Sequence, residues 1–450
     1  MSLEQFGYED QLDRALSLTD LIVYGMIFMV PIAPFAVFGF AWQDAKGMVA
    51  LTYLIGMVGM LFTALSYAAM SRAFPLAGSV YAYVQRGLHE SAGFLAGWLI
   101  LLDYILIPAL LYLFSAVALQ PLLPAVPEWV WLAGFVSFNA AANLIGVRFT
   151  ARVYKVLLAL ELLTLALFVI FGALALHRGA GAGGLTLAPL YDPHNFSLTT
   201  VAGATSIAVL SFLGFDGIST LSEESTGAQN AVARATVISL VLIGALFMLQ
   251  TWIAADLGRG MRFDDPSTAF YDIAARAGGA PLRLISIVAI AVSFGIANAM
   301  AAQAAVSRVL FAMARDRKLP AVLAVVHPRF KTPYVSTLLV AAVSLLVGLF
   351  FASRIDDLTR VVNFGALTSF ALLHLAVAYH HFFRQRSGAW LRHLVFPLAG
   401  FAVILYVLYG MDRTAKILGG CWVAAGVVYY LFLVGRAHGR AETVRLGIDP

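Results

Sequence analysis

Asp216 stands in an otherwise apolar stretch, Ser211-Phe-Leu-Gly214-Phe-Asp216-Gly217-Ile-Ser219, with glycines on both sides of it. A lone carboxylate in hydrocarbon is unfavourable by roughly 3 kcal/mol on insertion scales. It must therefore face an aqueous path, accept hydrogen bonds or be neutral. Beside Gly214 and Gly217 it can be aimed at a bound ammonium or carry a proton, or it can tie an unwound strand together. Glu161, in Leu157-Leu-Ala-Leu-Glu161-Leu-Leu-Thr164, poses the same choice. Burial there disfavours its charged form, which suits a proton carrier; a helix-packing hydrogen bond is the alternative.

Other polar residues lie nearer the ends of their runs. Glu223 and Glu224 follow the Asp216 stretch, and at a wet membrane edge they read as interfacial charges or gate partners rather than ligands. Asp103 is read in the same way, and its neighbour Tyr104 can stack on an ammonium for about 0.5–2 kcal/mol. Phe215 suits a gate, a cation–π wall or ordinary packing. Catalysis has no comparable support. The chain has 9 histidines without metal spacing, no Ser/His dyad within an apolar run and no Gly-Lys-Ser/Thr phosphate loop. The single cysteine, Cys421, permits no disulfide within the chain. The reading is no enzyme, no metal and no cofactor.

The elements that must position these residues are membrane helices. The 450-residue chain is 61% hydrophobic and 12% charged, about half the charge of a soluble domain. Its apolar residues fall in blocks near the ~20 residues a crossing needs. The expected spans are 18–39, 48–70, 92–119, 129–146, 154–176, 199–221, 235–256, 282–311, 334–352, 359–381, 394–410 and 415–435. The class is an all-α polytopic membrane protein whose immediate partner is a lipid bilayer.

Lys and Arg alternate between loops. Nineteen of the 29 lie on the side that holds both termini, counting from Arg14 through the cluster Arg308–Lys331 to Arg445; ten, from Lys46 to Lys416, lie on the other. By the positive-inside rule both termini are cytoplasmic. This distribution explains the net charge of +5 without nucleic acid. The acidic tail with Glu4, Glu9, Asp10 and Asp13 is not a signal-peptide n-region.

Two spans read as broken. The first contains Pro31-Ile32-Ala33-Pro34, and each proline removes a backbone donor. The sixth contains Gly214 and Gly217 around Asp216. Unsatisfied backbone at that depth is tolerated only where it is buried in protein or lines a cavity. Breaks at matching places in two halves point to an inverted repeat with its site at the midplane. Pro31, Ile32, Ala33, Ser211, Gly214, Phe215, Asp216, Tyr104 and Asn298 are the candidate substrate-binding residues. Glu161 and Asp216 are the candidates for proton coupling, and Asp103, Glu223 and Glu224 for the gate.

Several segments in order, covering nearly the whole chain, resemble the amino acid–polyamine–organocation superfamily and within it the bacterial putrescine importers. They are Phe74-Pro75-Leu-Ala-Gly78-Ser79-Val-Tyr81-Ala-Tyr83, Leu101-Leu-Asp103-Tyr104, Ser211 to Glu224, Ser307-Arg308 to Pro320 with His327-Pro328 and Thr332-Pro333, and Asn363-Phe-Gly-Ala-Leu. The resemblance implies a LeuT-type fold: two inverted five-helix repeats (18–176 and 199–381, together the transport core 18–381), then two peripheral helices (394–435), with tails 1–17 and 436–450. It implies proton- or Na⁺-coupled import by alternating access. Asp216 matches the acidic residue of the importers' sixth span, and Glu161 lies where some proton-coupled members carry a lysine. A LeuT-type Na⁺ site would draw hydroxyls from span eight. That span, Ser293-Phe-Gly-Ile-Ala-Asn298-Ala-Met-Ala-Ala-Gln303, has no adjacent Ser/Thr pair, so a proton is favoured over Na⁺.

The sequence also departs from the family. Amino-acid transporters of the superfamily carry a Gly-Ser-Gly-type break whose amides bind a carboxylate, as helix N-termini can; Pro31-Ile-Ala-Pro34 favours an amine instead. The importers carry an aspartate after their proline where this chain has Ala36, so putrescine, a monoamine and a neutral amino acid all stay open. The expected function is import of a small putrescine- or polyamine-like amine. The alternatives are a proton-coupled symporter of a small amino acid and a transport-inactive sensor.

Overall fold

The computed structural model describes residues 12–120, 122–226, 230–352 and 355–445. Glu4, Glu9 and Asp10 of the acidic tail, Arg354 and residues 446–450 lie outside the described residues, as do the side chains of Arg360, Arg436, Arg440 and Arg445. Among the described residues the regular elements are helices, and the β-type pairing is one isolated bridge, Leu16 to Ser225.

Among the described residues ten helices are long and apolar enough to cross a membrane, and the bent pair Leu18–Met29 and Pro34–Ala45 makes eleven. The expected fourth span is the 18-residue helix Glu128–Ile145, made less apolar by Asn139 and Asn143. These asparagines face inward: Asn139 Nδ2 donates to the carbonyl of Gly295 (2.9 Å), and Asn143 Nδ2 to that of Met300 (3.0 Å).

Several spans are longer than read. Span one continues to Ala45, because Pro34 stands at the first turn of its second half, where a missing N–H is harmless, and it stops at Lys46, φ 50°. Span five starts at Val147 rather than 154; Arg148, Arg152 and Lys155 are helical, not loop. Charged residues at a helix end reach the interface, so charge alone marked the boundary wrongly.

The two halves share an order of elements. The first runs broken span, Val49–Ala73, short helix Ser79–Gly87, Glu90–Leu119, Glu128–Ile145, Val147–His177. The second runs broken span, Ala231–Gly258, short helix 269–277, a long helix 281–315, Tyr334–Phe351, Ile355–Val377. The short helix of the second half ends at Gly278 and Gly279, the latter at φ 72°. Leu391–Gly410 and Arg413–Arg445 follow.

Span three, Glu90–Leu119, runs through the middle, with 78% of its apolar window buried, against 11% for the last span. On span five, Val156, Leu160, Leu163, Ile170 and Leu174 are exposed along one face. Their spacing of three to seven residues is the stripe a lipid-facing helix needs. The breaks of spans one and six therefore sit inside a sheath of helices, where irregular backbone is tolerated.

Candidate functional site

The first half of span one is capped by Ser17, whose hydroxyl accepts from the Asp20 amide, and it ends at Met29. Val30 then takes φ 53°, a left-handed conformation unusual for a branched residue. Pro31 has no N–H, so the carbonyl of Ile27 lacks its helical donor. The Ala33 amide is used locally, donating to the carbonyl of Val30 (2.8 Å), and the carbonyl of Pro31 accepts from Gln250 Nε2 of span seven (2.8 Å). The carbonyls of Val30, Pro31, Ile32 and Ala33 are thus all engaged within the protein, while the prolines at 31 and 34 remove two amides from the break.

Span six is helical to Leu210. Phe212 and Leu213 then donate at the shorter three-residue reach to Val209 (2.9 Å) and Leu210 (3.2 Å). Gly214 follows at φ 116°, and the tighter helix Phe215–Glu224 begins. The two breaks meet at Phe28. A Cβ on Gly214 would lie 2.7 Å from the Phe28 carbonyl oxygen, and one on Gly217 would lie 2.3 Å from the Phe28 ring. Only glycine fits at both.

Beneath Phe28 lies Asp216, buried. Its Oδ1 accepts from the Gly214 amide (3.2 Å) and its Oδ2 from the Tyr104 hydroxyl. These bonds tie the carboxylate to the unwound strand of span six and to span three. Asp103, also buried, is within Coulombic range of Asp216 and leaves Oδ1 without a protein partner. It lies mid-membrane beside Tyr104, away from the layer formed by Glu223 and Glu224.

Above Phe28 is a cavity of about 40 Å³, lined by Ala33, Val37, Leu110, Phe114, Ser211 and Asn298 among others. It holds little more than one water. Val37, Phe114 and Leu210 form a collar between it and a vestibule of about 350 Å³, which is lined also by Gln43, Asp44, Asn363 and Asp412. By connectivity this vestibule lies on the face opposite the arginine-rich loops.

The candidate residues are thus distributed as follows. Ala33, Ser211 and Asn298 line the cavity; Asp216, Tyr104 and Gly214 do not, and are linked to it through Phe28, which does; Pro31 and Ile32 form the break. Phe215 points elsewhere, its ring edge-on to Tyr67 and tilted against Phe370, each 5.8 Å away. Glu161 is buried in span five, with neither carboxylate oxygen hydrogen-bonded, opposite Ser293 in the π-turn Ser293–Asn298 of span eight.

The arginine-rich face corrects the reading of a wet edge. Glu223 and Glu224 are 4% and 3% exposed. Glu223 accepts two bonds from Arg315 (2.9 and 3.0 Å) and one from the Ala77 amide (3.0 Å). Glu224 is held bidentately by Arg308, with Nη2 donating at 2.9 Å. These arginines are therefore not solvated topogenic charge alone. The pairing was hidden because 84 and 92 residues separate the partners. Around it, the amides of Ala15 and Leu16 both donate to the carbonyl of Glu224 (3.0 Å each), and Tyr81 donates to Asp316 (2.7 Å). His380 is buried at the end of span ten, with His381 stacked on His393 (4.5 Å).

Sequence reasoning missed Phe28, Tyr53, which shares a hydrogen bond with Ser211 (2.9 Å), and Gln250. Gln250 carried a usable signal, a lone amide in the middle of span seven. Phe28 carried none, since it is one of 32 phenylalanines.

A model of a family described as amino acid permease matches residues 16–432. The chain belongs to the amino acid permease family. The permease is accordingly a multi-pass membrane transporter and not an enzyme. It is similar to the low-affinity putrescine importer PlaP of Escherichia coli K12, 30% identical over 431 residues and 93% of each chain. It is also similar to the branched-chain amino acid permease BcaP of Bacillus subtilis, 26% identical over 96% of this chain and 95% of that one. The methylthioribose transporter of the same organism is 25% identical over 95% and 94%.

Proposed function

We propose that the permease imports a small amine across the bacterial inner membrane by proton-coupled alternating access, with both termini in the cytoplasm. The observation that carries this reading is the chemistry of the two breaks. Span one carries two prolines where an amino-acid carboxylate would need free amides, and span six holds a buried carboxylate at its own break. A carboxylate suits an ammonium group. The similarity to a putrescine importer agrees with this. On this reading the vestibule opens outward and the Glu223–Arg315 and Glu224–Arg308 layer closes the cytoplasmic side. Entry of the ammonium requires Phe28 to swing off Gly214 and Gly217, so that Asp216 exchanges the Tyr104 hydroxyl for the amine.

The coupling ion on this reading is a proton. Glu161 is its carrier, because it is a buried carboxylate between spans five and eight with neither oxygen hydrogen-bonded, and loading it alters the packing of the π-turn at Ser293. Na⁺ lacks the paired hydroxyls it would need in span eight.

The test is uptake of labelled putrescine, butylamine and leucine into proteoliposomes with an acidic exterior and an alkaline interior. A passively permeating base is depleted from an alkaline lumen, so accumulation reports the protein. Amine accumulation that collapses with the gradient and in Asp216→Asn is expected. Accumulation of leucine without any amine would replace the proposal with a proton–amino acid symporter.

A further inference from the structure

We infer that the amine is single-ended, one ammonium on an apolar body such as an alkylamine or arylalkylamine, and not a diamine. This rests on the amine-import reading and narrows it. The carboxylates of the site are gathered in one place outside the cavity: Asp216 accepts from Tyr104, whose chain neighbour Asp103 is within Coulombic range of Asp216, and neither aspartate lines the cavity. The cavity is walled by Val37, Ile107, Leu110, Phe114 and Phe294, with Ser211 and Asn298 as its polar groups, both neutral. Ser211 is already engaged by Tyr53. An alkyl or aryl body matches this wall in polarity and requires the cavity to widen, as the swing of Phe28 would allow. A second ammonium placed there is a buried charge without a counter-charge, which is strongly unfavourable.

The next carboxylates along the path are Asp44 and Asp412, both in the vestibule beyond the collar. Asp44 lies on the same helix as Val37, seven residues further, a rise of about 10 Å. That is longer than the carbon chain of a four-carbon diamine, and the Val37–Phe114–Leu210 collar intervenes. A short diamine anchored at Asp216 therefore leaves its far end among apolar side chains.

The experiment is isothermal titration of the purified full-length permease with propylamine, butylamine, pentylamine, phenethylamine, putrescine and leucine, repeated on Val37→Asp. Affinity is expected to rise about fourfold per added methylene, with putrescine at least tenfold weaker than butylamine. Val37→Asp is expected to reverse the putrescine-to-butylamine order; Leu110→Asp serves the same purpose if that variant does not purify as a monodisperse protein. Putrescine binding as tightly as butylamine would overturn the single-ended site and leave amine import standing. Leucine binding with no amine binding, or no amine binding at all, would overturn both. An order unchanged in both aspartate variants would remove the missing carboxylate as the cause.

Discussion

The two faces of the permease are closed to different degrees and by different forces. On the arginine-rich face, two buried bidentate ion pairs join the end of span six to span eight, and the segment before span one is zipped onto them through the carbonyl of Glu224. On the opposite face a vestibule of about 350 Å³ reaches down to the collar of Val37, Phe114 and Leu210. One side is held by directed charge–charge contacts that must all be broken to open it; the other by apolar side chains that can slide. On the proposed alternating-access reading, an ionic layer shut and an apolar collar narrowed correspond to a point near occlusion in the cycle. The next step depends on which layer yields first.

That contrast can be broken most severely at Arg308. In Arg308→Ala the carboxylate of Glu224 stays buried without a partner, at a cost of about 3–5 kcal/mol to the closed face. The variant should populate the conformer open on the arginine-rich side. Cysteine labelling from that side of a residue introduced at Ala33 should become fast, where it is slow in the parent. Gly214→Ala comes next. Its Cβ would meet the Phe28 carbonyl at 2.7 Å with φ at 116°, so left-handed strain of about 1–2 kcal/mol adds to overpacking of about 1–3. The junction of the breaks should loosen, read as a lower melting temperature together with lost uptake.

Smaller effects sharpen the comparison. Glu223→Gln keeps its hydrogen bonds to Arg315 in part, and Arg315 is more exposed than Arg308. A loss of about 1–3 kcal/mol is expected, and hydrogen exchange at the Ala77 amide should speed up, because Glu223 is its acceptor. Asp20→Asn should matter least. Its partner Lys155, at 2.6 Å, is half exposed, and such pairs contribute under about 1 kcal/mol. A melting temperature unchanged within a degree or two is the expected result. If Asp20→Asn were as damaging as Arg308→Ala, the layer at Glu223 and Glu224 would not be what closes this face.

The unequal legibility of the molecule follows from the range of its interactions. Pro31, Pro34, Gly214 and Gly217 act on their own backbone, so the two breaks could be read directly, and so could the apolar blocks around them. The resemblance then ordered those blocks into repeats. Partners distant in the chain could not be read. Glu224 looked like a wet interfacial acid because nothing within a helical turn pairs with it; Arg308 does so across 84 residues. Phe28 closes the floor over Asp216 only because Gly214 and Gly217 leave room for it, a fit between two spans that neither shows alone. Phe215, adjacent to the acid in sequence, turns toward Tyr67 and Phe370, since successive residues of a tight helix point in different directions.

The most direct test of the account is charge movement on solid-supported membranes carrying the reconstituted permease. Rapid addition of butylamine at fixed pH should give a transient inward positive current in the parent and none in Asp216→Asn, while leucine gives none in either. A butylamine current that survives Asp216→Asn, or a current elicited by leucine alone, would contradict the assignment of Asp216 as the ammonium partner.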